Sequence, residues 1–207
     1  MFNVAALAFG LGILFNAAPG VVFTESLRRG MRGGFKSAFA VQVGSLVGDA
    51  TWAILGLIGV GALFLLDGVR IPLMLVGALL TVGLGVMSLR GAIRPPATAE
   101  GSGAVSEDLT KGGLAVGATI SLTNPMNVVY WGGAAAAVAG AVGQEPSWQV
   151  MAVFFLGFFI ASLLWCWICA GAIAMFRRAL PARGVQAIEA ACGISLVGLG
   201  IWMALSA

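Results

Sequence analysis

Six apolar runs, each long enough to cross a bilayer as a helix, leave this chain of 207 residues almost no room for anything else. The hydrocarbon core is about 30 Å thick and takes about 20 apolar residues in helical form. Runs of that kind fall at about 2–24, 38–60, 70–90, 113–141, 149–172 and 185–206. The composition agrees, with 60% hydrophobic and 9% charged residues, against the ~45–50% and ~25% of soluble domains. In lipid a backbone must satisfy its own polar groups, and a helix does so. The expected fold class is therefore all-α: a polytopic membrane protein with one transmembrane domain over 1–207 and the lipid bilayer as its first partner.

The basic residues fix the expected orientation. Arg28, Arg29, Arg32 and Lys36 follow the first run; Arg90, Arg94 and Lys111 follow the third; Arg177, Arg178 and Arg183 follow the fifth. Only Arg70 falls in the alternate set of loops. Basic loops stay cytoplasmic, so both termini are expected outside a bacterial inner membrane. No basic residue precedes the first run, which is therefore read as a span and not as a secretory leader.

Three runs on each side of a polar stretch point to two halves, about 1–91 and 112–207, joined by a flexible cytoplasmic linker at about 92–111 with Pro95-Pro96 and Gly101-Ser102-Gly103. An odd number of spans per half forces opposite orientations, so the halves form inverted repeats of the kind that enclose a midplane site. Their sequences carry traces of the repeat. Asn16 precedes Pro19-Gly20 in the first run, and Asn124-Pro125 precedes Asn127 in the fourth. Gly44, Gly48, Asp49 and Trp52 match Gly157, Ala161, Ser162 and Trp165 in spacing, placing Asp49 opposite Ser162.

Asp49 stands alone among apolar residues in the second run. A charge at bilayer depth costs roughly 2.5–3.5 kcal/mol on insertion scales, and such residues usually face an interior that handles protons, ions or substrates. At 1.5 Å rise per residue Asp49 lies about 18 Å into its helix, close to the midplane. Ser45, Asp49 and Trp52 share a face, and Gly44 and Gly48 beside them admit a neighbouring backbone. A carboxylate in that notch holds an ammonium group, exchanges a proton, or forms a structural hydrogen bond.

Pro19 and Pro125 each remove a backbone donor and crowd the preceding turn. Helices 1 and 4 are therefore expected to be interrupted at these prolines. The freed carbonyls suit a cation and the half-helix amides suit a carboxylate. With Gly20, Asn16, Asn124 and Asn127 they make a candidate binding set for a small zwitterion, although proline kinks without a ligand also occur in membrane helices. Glu25 and Arg28 are candidate gate charges in a short basic loop, or a surface ion pair; Glu189 is expected to pair with Arg183 at the interface.

Other functions are excluded by what the chain lacks. It has no histidine, so neither a histidine relay nor a His-ligated metal is possible, and no metal or other cofactor is expected. It has no phosphate-binding loop and no basic folded platform for nucleic acid. No enzymatic site is expected. Cys166 and Cys169 have CxxC spacing, but an i, i+3 pair within a helix does not reach disulfide geometry easily.

Taken in order, Ala18-Pro19-Gly20, Gly30-Met31-Arg32-Gly33-Gly34, Gly44 to Asp49 and Asn124-Pro125-Met126-Asn127 resemble the motifs of the LysE-type amino-acid exporter family over nearly the whole chain. One departure is Val21, where the family often has a second proline. The resemblance implies export of amino acids or related small metabolites, driven by protons, with Pro19, Gly20, Asp49, Asn124 and Pro125 as functional positions. Export of ions or other metabolites, and a membrane thiol carrier using Cys166 and Cys169, are the alternatives. Glycine-rich faces allow a homodimer. The orientation has a direct test: alkaline phosphatase fused after Ala207 is expected to be active, and green fluorescent protein fused there to stay dark.

Overall fold

A computed structural model of the chain describes residues 1–17, 20–57, 67–93, 102–124, 127, 131 and 147–206. Among them are seven α-helices and no strand: α1 (Phe2–Ala17), α2 (Val21–Gly33), α3 (Phe35–Leu57), α4 (Asp67–Ile93), α5 (Ser102–Leu122), α6 (Trp148–Ala179) and α7 (Ala182–Leu205). Stretches in α3, α4, α6 and α7 are each long and apolar enough to cross a membrane. The pair α1 and α2 meets the same requirement together, its two axes bent by 62°. The apolar part of α5 is described from Gly112 to Leu122, and most of the remainder of the expected fourth span lies outside the described residues.

Two expected loops are helical instead. The basic stretch from Arg28 to Gly33 is not a loop but the second half of α2, and only Gly34 separates it from α3. Its φ of 72° is the left-handed conformation that glycine adopts without penalty. Residues 102–111 of the expected linker form the start of α5. Both stretches are too polar for a hydropathy pattern to separate from a loop. In α2 Glu25, Ser26, Arg28 and Arg29 are buried in the bundle, so tertiary contacts supply the stabilisation that a solvated helix this short lacks.

The helices pack in pairs: α1 along α6, α3 along α5, and α4 along α7. In contrast, α2 touches several partners, α3, α5, α6 and α7. Large apolar side chains such as Leu14, Leu79 and Met175 are exposed on the outside, where a bilayer covers them. The α3–α5 contact is the closest. A β-carbon at Gly44 would collide with the Leu114 carbonyl, and one at Gly117 with the Val41 carbonyl. Small residues let the two backbones touch, which is how helices associate where lipid offers no hydrophobic driving force.

Gly44→Ala is expected to lower the stability of the detergent-solubilised protein by about 1–3 kcal/mol through overpacking. Gly10→Ala, with nothing within 4 Å of the added carbon, is expected to leave it unchanged. Thermal unfolding of the two variants side by side checks the contrast.

Candidate functional site

Asp49 is 3% exposed, on the side of α3 that faces α5. Its Oδ1 accepts two hydrogen bonds, from Ser121 Oγ at 2.9 Å and from Asn127 Nδ2 at 2.9 Å. Asn127 Nδ2 also donates to Ser121 Oγ at 2.8 Å and to the Ser121 carbonyl at 3.1 Å. Trp52, one turn along α3, donates its indole N–H to the same carbonyl at 3.2 Å. Asn124 Nδ2 reaches Asn127 Oδ1 at 3.4 Å. The last turn of α5 and the residues beyond it thus close around the carboxylate. Their donors are all neutral, and among the described residues both bonds to Asp49 fall on one oxygen.

This cluster brings together four of the expected site residues: Asp49, Trp52, Asn124 and Asn127. Ser45 is buried beside them but donates to the Gln42 carbonyl of its own helix at 2.7 Å. Asn16 takes another partner, donating to Ser162 Oγ on α6 at 2.9 Å and to the Gly12 carbonyl at 2.7 Å. Gly20 is the extended residue that opens α2. Pro19 and Pro125 lie outside the described residues. Ser121 joins this cluster without a sequence signal, because a serine among threonines and leucines does not stand out. Its place in the turn before Asn124-Pro125 was the available clue.

A second polar cluster lies on α2. Glu25 is fully buried and accepts both Nε and Nη2 of Arg28, at 2.7 and 2.6 Å, and Nε of Arg29 at 2.7 Å. The expectation of a surface pair is corrected here: Arg28 and Arg29 are 6% and 8% exposed. Glu189 is also buried and pairs with Arg32 of α2 at 2.6 Å, not with Arg183. Tertiary packing decides that choice, because Arg183 is exposed two turns away on its own helix while α2 lies against α7. Between the two clusters Gln42 of α3 donates to Ser26 Oγ at 3.0 Å and to Cys169 Sγ at 3.4 Å. All three cysteines are buried free thiols, and no group of His, Cys, Asp and Glu among the described residues is arranged to hold a metal.

The chain belongs to the LysE type translocator family, which it matches over residues 13–207. It is a multi-pass membrane protein of a transporter family, not of an enzyme family. The chemotactic transduction protein ChpE of Pseudomonas aeruginosa is 46% identical over 196 residues, which cover 95% of this chain and 94% of that one. The putative amino acid efflux protein YcgF of Bacillus subtilis is 22% identical over 192 residues, 93% of this chain and 90% of that one. No solved structure matches.

Glu25→Gln is expected to be far more damaging than a surface change, because it leaves two buried arginines without their counter-charge. Breaking a buried pair from one side costs about 3–5 kcal/mol. Arg183→Gln, at an exposed position, is expected to cost less than about 0.5 kcal/mol. Denaturation of both variants in detergent micelles reads the difference.

Proposed function

We propose that the protein is a secondary active exporter of amino acids or related small metabolites across the bacterial inner membrane, working by proton antiport with Asp49 as the coupling residue. The observation that carries this reading is the chemistry around Asp49. A carboxylate meant only as a structural anchor in a membrane is best paired with a cation. Asp49 is instead held by the neutral donors Ser121 and Asn127. Burial disfavours its charged form while the two donors favour it. That balance lets a change in hydration during the cycle switch the proton on or off.

The helix pairing supports two inverted halves. Numbering α1 and α2 together as span one and α5 as the start of span four, span one packs on five, four on two, and three on six. Exchanging the halves maps each of these contacts onto another or onto itself. The polar contacts follow the same pattern: Asn127 meets Asp49 on one side, and Asn16 meets Ser162, the residue matched to Asp49, on the other. Substrate then sits between the chain breaks near Pro19–Gly20 and Asn124–Asn127, with Trp52 closing a wall. The efflux naming of the Bacillus relative agrees with this direction of transport. The naming of the Pseudomonas relative supports a second reading, a translocator-like chain that acts in signal transduction.

The test is proton flux in proteoliposomes of purified protein, with an amino-acid panel, for wild type and Asp49→Asn. Substrate-coupled proton movement in wild type and its loss in the variant are expected. Equal coupled flux in both would make Asp49 structural and remove this mechanism. A correctly folded wild type that moves no member of the panel would favour the signalling reading.

A further inference from the structure

We infer that α2 is the gate that closes the arginine-rich end of the transport path, and that Glu189 and Arg177, on two other helices, are its latches. The inference rests on the transport reading above and adds to it the moving element and the residues that hold it.

Three observations lead there. First, α2 covers the Gln42 end of the polar stripe that leads to Asp49. On α3, Gln42, Ser45 and Asp49 succeed one another at helical spacing, all buried. Gln42 is capped by Ser26 of α2, and Met31 of α2 packs with Ala38, Cys169, Ala170 and Ile173. Lifting α2 would open Gln42, Cys169 and that end of the stripe to water.

Second, α2 is set off at both ends from the helices before and after it. It is bent by 62° from α1, and at its other end Gly34 holds a φ of 72°. A rigid element between two such points is a hinge-type mover. Glu25 pairs with both Arg28 and Arg29 of the same helix, so these two ion pairs travel with it and are not torn apart by the swing.

Third, the Gly34 end of α2 is tied down from outside by charged side chains. Arg177, at the end of α6, donates Nε to the Met31 carbonyl at 2.8 Å and Nη2 to the Arg32 carbonyl at 3.0 Å, satisfying the last turn of α2. Glu189 of α7 binds Arg32 at 2.6 Å, and the Glu189 carbonyl is itself fixed by Ser88 Oγ of α4 at 2.8 Å. The Arg32 end of that pair is 37% exposed, so water can take over when the tie breaks. A part-exposed tie to a buried, anchored partner is reversible, as a latch has to be.

Native Cys169 beneath α2 serves as the reporter. In full-length protein carrying Cys166→Ser and Cys192→Ser, its alkylation by a charged, membrane-impermeant maleimide is measured from each face of sealed vesicles. Glu189→Gln is expected to speed alkylation from the cytoplasmic face by about ten-fold, the effect of a bias of about 1.4 kcal/mol toward the open form. Arg177→Gln is expected to act in the same direction, and the swap of Arg32→Glu with Glu189→Arg to return the rate toward that of the parent. Parental rates in both single variants, or equal acceleration from the two faces, would overturn the latch. The assay needs no substrate. A wild type that exports nothing therefore removes the functional reading and leaves the accessibility result to stand on its own.

Discussion

The glycine-lined approach of α3 to α5 is what makes a carboxylate in the second span tolerable. In hydrocarbon a polar group without a partner costs several kcal/mol. Because Gly44, Gly48 and Gly117 carry no side chain, the end of α5 comes close enough for Ser121 and Asn127 to reach Asp49 directly. A bulkier α3 would push α5 away and strand the charge. Packing and chemistry at this point are one constraint, and the exposed apolar surface of the rest of the molecule is free to answer only to lipid.

The buried charges of α2 follow a different logic. Glu25 holds two arginines within one helix, which concentrates a strongly polar cluster there and makes both ion pairs internal to α2. Among the ties that cross to other helices, Ser26 is bonded by Gln42 of α3, and at the Gly34 end Arg177 and Glu189 hold Met31 and Arg32. The proposed gating of α2 requires such a division, with ion pairs kept inside the moving helix and breakable bonds to its neighbours.

The two kinds of site meet at Gln42. It lies two turns from Asp49 on α3 and bonds Ser26, the neighbour of Glu25 in sequence. A change in the position of α2 is therefore felt on the same face of α3 that carries the carboxylate. This continuity is physical contact and not mere proximity in sequence, and in the proposed cycle it would link proton exchange at Asp49 to closure at the arginine-rich end.

Hydropathy alone determined that the chain is a helical membrane protein, since continuous apolar runs of about 20 residues suit spanning helices, which satisfy their own backbone in lipid, and not the shorter alternating strands of a barrel. A lone Asp49 in an apolar run, with Asn124 and Asn127 in a later one, marked most of the central site because such residues are costly there and so stand out. The sequence did not determine partners. Ser121 has no distinguishing signal, Glu189 had a nearer arginine in Arg183, and the basic stretch after Val21 looked like a loop. Those were decided by tertiary structure, because hydrogen bonds and ion pairs depend on which helices touch. Helix contacts are set by where small residues let backbones meet, a matter of three-dimensional complementarity that a one-dimensional pattern of polarity does not contain.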